Sequence, residues 1–521
     1  MPLHKTPVSL AAIVAVAFVA FFPSLYGYFL SDDFNLVLFL DRERKAVDWP
    51  NTLSDFYTAF RGDLTHSYYR PLISLSAALD FTLWGPRASG FHLTNTTLHV
   101  ANSLLVYAIA IVAPPSPNRL VALAAGLLFA LHPVHPEAVY WLAARTDLIV
   151  TLFTLSSFLL YLVFWRHRRP DYYLLSLLSF LAALASKETA VALPLALALL
   201  TAFPPTPAIG RTPRESTAQL RWLAPYFLLL AGYFLFRKAI TGFFMGQYGH
   251  PDLAVFRLSD TLTWMGHLFR SLVYPVEEHL LAAAANSLYG PAVNGLIVAL
   301  AWVLPVGSVG LALAGARSRR PWFYLGLMLA FASPLLAFAS PLLLILTRFA
   351  AGASPLTFAR MHYLPSAAYC LFLGSLLEKM TPLRALLGSM ILAAFLTLLT
   401  VNSLPWIFAG GITRDAVLRI EQAAAEDGAQ RVIVAGSPDF YLGAQLFGTR
   451  SWALPVAAAP PFARIPAGVQ IIHLPHEEDN LAPSSGACQG AGSVLLRWNP
   501  VTTQLERATG APKGCPSRPS Y

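Results

Sequence analysis

The sequence Ser31-Asp32-Asp33-Phe34-Asn35 directly follows the apolar run from Val8 to Leu30, near the start of a 521-residue chain. A run of about 20 apolar residues is long enough to cross the core of a bilayer. We interpret it as a retained first membrane helix rather than a cleaved signal peptide. The two adjacent carboxylates would then lie just outside the membrane, and the rest of the chain is predicted to build a reaction site around them.

The composition indicates an integral membrane protein. Hydrophobic residues make up 56% of the chain and charged residues only 12%, whereas soluble domains carry about a quarter charged residues. The net charge is +9, but the basic residues fall mostly in short loops between apolar runs, where they set membrane orientation. We therefore predict membrane lipids, and no nucleic acid, as partners.

The first 408 residues contain about eleven apolar runs that are long enough, or nearly long enough, to cross a membrane as helices. The predicted spans are 8–30, 92–113, 119–133, 147–165, 171–186, 189–204, 221–240, 291–314, 321–346, 362–378 and 384–406. The predicted fold class is therefore an all-α polytopic membrane domain over residues 1–408.

The chain after residue 408 is less apolar and is predicted to form a small extracytoplasmic α/β domain over residues 409–521. A helix is predicted at 412–427. Three β-rich runs follow it, at Arg431–Ala435, Val469–Leu474 and Ser493–Trp498, and the end of the chain is rich in Pro, Ser and Gly, which predicts a loose terminus.

The basic clusters fall on one side of the predicted membrane. They include Arg166-His167-Arg168-Arg169 and the arginines at 317, 319 and 320. By the positive-inside rule this side is cytoplasmic, which predicts a cytoplasmic N-terminus, an extracytoplasmic C-terminal domain and, as the compartment, a bacterial inner membrane. Charged and polar residues then collect at helix ends on the outer face: Asp32, Asp33, Arg70, Glu137, Arg145, Asp147, Lys187, Glu188, Arg360 and His362.

These residue types can serve acid–base chemistry and phosphate binding. A carboxylate can accept the proton of a hydroxyl group, and cations can stabilise a phosphate. One aspartate of the Asp32-Asp33 pair could accept the proton while the other holds acceptor, metal or backbone. The alternative is that Ser31-Asp32-Asp33 caps the next helix by accepting backbone N–H bonds. The sequence does not decide between Asp32 and Asp33.

Other polar residues are candidates for the same site. Glu137 is a second acidic residue that could face the aspartate pair. His132 and His135 stand in a Pro-interrupted turn and could join Glu137 on a divalent metal ion or a phosphate; a rigid turn is the alternative. Five residues are candidates for binding the phosphate of a lipid: Arg70, Arg145, Lys187, Arg360 and His362. The alternatives are that they anchor helices at the membrane interface or form ion pairs, such as Arg145–Asp147 or Lys187–Glu188.

Several of these residues lie in short motifs spread over residues 8–406. The motifs are Tyr69-Arg70-Pro71-Leu72, Leu131-His132-Pro133-Val134-His135-Pro136-Glu137, Ala144-Arg145-Thr146-Asp147, Ser186-Lys187-Glu188 and Arg360-Met361-His362-Tyr363-Leu364-Pro365. Together they resemble the membrane part of the tetratricopeptide-containing transmembrane O-mannosyltransferases, which belong to the GT-C superfamily of polyprenyl-phosphate-sugar glycosyltransferases. The repeats themselves are absent from this sequence.

The resemblance implies a function and a catalytic residue. The implied reaction moves a sugar, mannose by family, from a polyprenyl-phosphate carrier to a protein Ser/Thr, glycan or lipid acceptor on the outer face, with inversion at the anomeric carbon. In that superfamily an acidic residue in the first outer loop is catalytic, which implies Asp32 or Asp33 as the base. Two alternatives remain open: a transporter or flippase of lipid-linked sugars, and a non-catalytic membrane scaffold.

Overall fold

The structure is a computed structural model that describes most of the chain. The described residues are 6–41, 46–59, 68–114, 117–204, 220–244, 270–273, 275, 319–333, 356, 358–377, 382–426, 428–448, 453–474 and 493–508. The predicted span 291–314 and the second half of the predicted span 321–346 lie outside them.

Helices dominate the first 424 residues. In chain order, with our labels, they are α1 Thr6–Phe21, α2 Trp49–Ser54, α3 Pro71–Trp84, α4 Ala88–Val112, α5 Arg119–Ala130, α6 Pro136–Tyr140, α7 Arg145–His167, α8 Pro170–Leu184, α9 Leu193–Ala202, α10 Ala224–Thr241, α11 319–333, α12 Tyr363–Leu376 and α13 Pro382–Ala424. Short 3₁₀ segments connect several of them, among them Ser31–Phe39 and Glu188–Ala192.

Within the described part of the chain, five helical segments are long and apolar enough to cross a membrane. They are Pro7–Tyr26, Ala88–Val112, Leu142–His167, Leu220–Thr241 and Ala385–Ala424. Four shorter apolar helices accompany them: Pro71–Trp84, Arg119–Ala130, Pro170–Leu184 and Glu188–Ala202. The chain is thus an integral membrane protein by these helices, while the predicted number of about eleven spans stays a prediction.

α13 differs from the predicted pattern. The span predicted at 384–406 and the separate helix predicted at 412–427 form one continuous 43-residue helix, with Pro405 in its interior. Gly410 lets this helix approach the segment before the aspartates closely, because a Cβ there would lie 3.0 Å from the backbone nitrogen of Tyr28. The helix therefore connects the membrane part to the C-terminal unit without a break.

The membrane helices pack through small and polar residues as well as apolar ones. α7 packs along α8, and α4 packs against α1, α5 and α7. The hydroxyls of Ser157 and Ser176 donate to each other's backbone carbonyls at 2.7 and 2.6 Å across the α7–α8 contact. Such small polar residues allow helices to approach closely and bond across a membrane interface.

The C-terminal unit is a mixed sheet with a hairpin and a short helix. Its elements are β3 Arg431–Ala435, β4 Phe440–Tyr441, β5 Ala444–Gln445, α14 Leu454–Ala457, β6 Gln470–Leu474, β7 Ser493–Asn499 and β8 Gln504–Arg507. The strands β1 Leu40–Asp41 and β2 Ala46–Val47 form a separate small hairpin earlier in the chain. The sheet order is β6-β3-β7-β8. The strand β3 pairs parallel with β6 and β7, in the register Val432–Ile471 and Val432–Val494, and β8 closes the edge antiparallel to β7.

The three β-rich runs predicted after residue 430 are thus strands, and the sheet agrees with the predicted small α/β unit. The strand β8 and the β4–β5 hairpin were not predicted, because each offers only two to four residues, too few for a period-2 pattern to stand out.

Candidate active site

The acidic turn, residues 31–35, begins with a strained residue. Ser31 has a positive φ of 46°, a left-handed conformation that costs a non-glycine residue about 1–2 kcal/mol. Its backbone N–H donates to the carbonyl oxygen of Leu446 at 2.7 Å. The strained conformation of Ser31 is therefore stabilised by a hydrogen bond to the C-terminal unit.

The two aspartates of the acidic turn have different surroundings. Asp33 is fully buried; one of its oxygens accepts from the Leu30 N–H at 2.9 Å and the other accepts from the Ala143 N–H at 2.6 Å. Burial raises the pKa of Asp33 well above its ordinary value, and the backbone N–H groups offset part of that increase. Asp32 is partly exposed, so the two adjacent residues differ in burial.

Glu137 and Arg360 form a second part of the site. One Glu137 oxygen accepts from the Arg360 backbone N–H at 2.9 Å, and the other binds the Arg360 guanidinium. Burial raises the pKa of Glu137, and the charge of Arg360 opposes the increase. The Arg360 side chain keeps 15% of its surface exposed, so this cation remains accessible while its carboxylate partner is buried.

Trp141 joins these two parts. Its indole N–H donates to the Leu30 carbonyl at 3.3 Å, beside the acidic turn. The Arg360 guanidinium lies 4.5 Å from the Trp141 ring centroid, within the range of cation–π attraction. A small cavity borders this group, lined in part by Glu137, Trp406, Leu442 and Asn402. Trp141 thus links Leu30, the residue before the acidic turn, to the pair of Glu137 and Arg360.

Three other basic candidates from the sequence form ion pairs: Arg70, Arg145 and Lys187. Arg145 is fully buried; it pairs with Asp80 at 2.6 Å and also donates to Asn95 and Ser76. Lys187 donates to both Asp147 oxygens at 2.6 and 2.7 Å. The pairs considered from sequence, Arg145–Asp147 and Lys187–Glu188, are wrong, because residues close in sequence project from different sides of a helix end.

Glu188 instead pairs with two arginines. Arg70 donates to one of its oxygens at 2.8 Å, and Arg237 lies 3.3 Å from the other. Arg237 was missed from sequence although it is a charged residue within an apolar helix, which is the signal that marks it. Asp80 was not among the predicted site residues, since its partner Arg145 lies 65 residues further along the chain and no local pattern joins the two.

The histidines are buried among aromatic rings. His135 Nε2 lies 2.8 Å from the Ser366 hydroxyl, and His132 Nδ1 accepts from the Val134 N–H at 3.3 Å. His362 is also buried, with Nδ1 3.2 Å from the Ala359 carbonyl. In the part of the chain that the structure describes, no group of three or more His, Cys, Asp or Glu side chains could hold a metal ion. The geometry gives the His132–His135 turn a packing role.

Comparison with proteins of known function adds to this geometry. The chain is similar to protein O-mannosyl-transferases. Protein O-mannosyl-transferase Tmtc1 of Drosophila melanogaster is 36% identical over 190 residues, which cover 36% of this chain and 22% of the relative. Tmtc2 of the same organism is 34% identical over 200 residues, covering 36% and 21%. TMTC3 of Mus musculus is 31% identical over 153 residues, covering 29% and 16%. No protein-family model matches the chain.

These relatives confirm the resemblance stated from the motifs. The similarity spans only about a fifth of the length of Tmtc1 and Tmtc2 and about a third of this chain. The relatives are animal proteins whose names state protein O-mannosyl transfer. What this chain itself transfers, and to what, is therefore a matter for proposal.

Proposed function

We propose that this protein is a membrane glycosyltransferase that moves mannose from a polyprenyl-phosphate carrier to an acceptor hydroxyl. The observation that carries the proposal is the acidic turn, where a partly exposed Asp32 stands beside a buried Asp33. The preceding residue, Leu30, accepts a hydrogen bond from Trp141, whose ring lies against Arg360. The similarity to protein O-mannosyl-transferases supports the sugar and the class of reaction.

In the proposed reaction the acceptor oxygen attacks the anomeric carbon of the donor. The bond from that carbon to the phosphate oxygen breaks, the acceptor proton passes to Asp32, and polyprenyl phosphate leaves with both electrons of the broken bond. A single displacement inverts the anomeric centre. Asp32 is the proposed base because this residue is partly exposed, whereas Asp33 is fully buried and accepts from the backbone N–H groups of Leu30 and Ala143. A base must come within hydrogen-bond reach of the proton it removes.

Arg360 is the proposed cation for the departing phosphate. Its side chain is partly exposed, and its guanidinium lies over Trp141, which donates a hydrogen bond to the residue preceding the acidic turn. A guanidinium can bind phosphate through two parallel N–H bonds. The buried Arg145 already donates to Asp80, Asn95 and Ser76, so we assign it to holding α3, α4 and α7 together. The residues proposed to lie at the edge of the site and to stabilise its structure are Arg70, Lys187 and His362.

We further propose that the acidic turn faces the extracytoplasmic side of a bacterial inner membrane, with the N-terminus in the cytoplasm. The distribution of the basic clusters supports this orientation. A polyprenyl-phosphate donor fits it, since nucleotide sugars are made and used in the cytoplasm. The acceptor is proposed to be a protein Ser/Thr hydroxyl or a glycan or lipid hydroxyl.

The donor can be tested directly. The full chain in lipid bilayers is supplied in parallel with radiolabelled mannosyl polyprenyl phosphate and with a radiolabelled nucleotide-activated mannose, together with Ser/Thr peptides and with lipid and glycan acceptors. The proposal expects label on one acceptor class from the lipid donor alone. Transfer from the nucleotide sugar alone, or no transfer from either donor, would contradict it.

A further inference from the structure

The C-terminal unit contacts both sides of the acidic turn. Before the aspartates, the Ser31 N–H donates to the Leu446 carbonyl at 2.7 Å. After them, Phe34 is fully buried with its ring centroid 4.7 Å from that of Phe462 and 6.3 Å from that of Phe447. The residues that flank Asp32 and Asp33 are therefore both held by a segment more than 400 residues away in sequence.

The contacts around Phe34 form a cage of aromatic rings. Phe29 lies 6.1 Å from Phe34 and 5.0 Å from Phe462, and Phe462 meets Phe34 edge-on. Edge-to-face and offset contacts at these distances are the favourable arrangements for aromatic pairs. Phe447 is itself almost fully buried, so the segment cannot move away without exposing several rings to water.

The Leu446 carbonyl is in turn fixed by the fold of the C-terminal unit. The Leu446 N–H donates to the Asp439 carbonyl at 3.0 Å, and the Ala453 N–H donates to the Phe447 carbonyl at 3.0 Å. Asp439 lies in the loop that follows the central strand β3. Two backbone hydrogen bonds thus connect Ser31, through Leu446, to the loop that follows β3. The positive φ of Ser31 needs such external support.

We propose that the C-terminal unit is a positioning element of the transfer site, in which Leu446, Phe447 and Phe462 fix the direction of the Asp32 carboxylate. The inference rests on the function proposed above for Asp32. It assigns these residues no contact with substrate; they act through the acidic turn. Since a displacement of about 1 Å at a reacting group can cost about 10²-fold in rate, small changes in this contact are expected to alter turnover.

The test compares Phe447→Ala with the conservative Phe447→Leu and with Leu505→Ala. Leu505 is buried in β8, against α13. Its replacement by alanine removes a comparable apolar volume from the same C-terminal unit. Each full-length variant in bilayers is assayed for kcat and donor KM. Amide hydrogen exchange is measured on peptides that cover residues 29–36.

The expected result for Phe447→Ala is a fall in kcat of about 10²-fold with donor KM unchanged and with faster exchange at the acidic turn. Phe447→Leu keeps most of the wild-type kcat and most of the wild-type protection from exchange at the acidic turn. Leu505→Ala leaves exchange at the turn as in wild type. Wild-type exchange at the turn in Phe447→Ala, or equal effects of Leu505→Ala, would overturn the proposal. The exchange measurement decides the contact even if the wild-type chain shows no transfer, a result that would instead contradict the proposed function.

Discussion

Asp33 accepts a hydrogen bond from the Ala143 backbone N–H at 2.6 Å, which ties the turn after the first membrane helix to the residues that precede α7. The other Asp33 oxygen accepts from the Leu30 N–H at 2.9 Å. A side chain that receives two backbone donors while fully buried serves the fold. Its neighbour Asp32 is partly exposed.

Asp33→Asn is expected to destabilise the protein. An asparagine amide would place an NH₂ group against one of the two N–H donors, leaving a buried donor without an acceptor at a cost of about 1–3 kcal/mol. Thermal unfolding in lipid or detergent measures the change. Asp32→Asn, at the partly exposed neighbour, is the matched control and should lose less stability than Asp33→Asn; equal losses in the two variants would show that Asp33 has no special role in folding.

The contribution of Asp33 should depend on pH in a defined direction. Its pKa is raised by burial, so the folded state holds the proton more tightly than the unfolded chain, where the pKa is about 3.9. The stability that this group adds is therefore fully present below about pH 4 and is lost as the pH rises toward the folded-state pKa. The melting temperature of wild type relative to Asp33→Asn should fall over that interval. A difference that grows with rising pH would contradict the raised pKa.

Breaking the buried pair of Arg145 and Asp80 should weaken the membrane core. Removing one partner of a buried ion pair typically costs about 3–5 kcal/mol, because the other charge stays buried. Asp80→Ala and Arg145→Ala should each lower the melting temperature strongly, and the double variant should lose less than the sum. The exposed pair of Arg169 and Asp171 is the control, and Arg169→Ala should cost at most about 1 kcal/mol. Additive losses for the buried pair would contradict the account.

Arg360→Ala should weaken donor binding. Hydrogen bonds to charged groups contribute about 1.5–3 kcal/mol, so the donor KM is expected to rise by roughly 10- to 100-fold. The variant also leaves Glu137 buried without its cation, so Arg360→Lys, which keeps the charge, separates phosphate binding from folding. The lysine variant should recover stability but only part of the affinity, since it lacks the guanidinium fork. A donor KM unchanged in both variants would remove Arg360 from the phosphate site.

Much of the site could be predicted from sequence because the signals were local. The aspartate pair follows an apolar run, and the helix-end motifs contain Glu137 and Arg360, which the structure brings together. The strand Arg431–Ala435 was also predicted with its observed bounds. Each of these features needs only neighbouring residues and a hydrophobic pattern.

The ion-pair partners could not be predicted because they are set by packing between distant segments. Arg145 meets Asp80 rather than Asp147 because α3 packs against α4 and α7. The contact of Phe34 with Phe447 and Phe462 likewise depends on how a C-terminal segment returns to the membrane part. One sequence gives no register for such long-range contacts. The distinction between Asp32 and Asp33 arose only from their burial and bonds.

The assignment of Asp32 as the base is tested most directly by the rate of mannose transfer from mannosyl polyprenyl phosphate in Asp32→Asn. A positioned general base contributes about 10²–10⁴-fold, so kcat should fall by that factor while the donor KM stays at its wild-type value. Asp33→Asn, measured beside it, should lower the melting temperature. Wild-type kcat in Asp32→Asn would contradict the account.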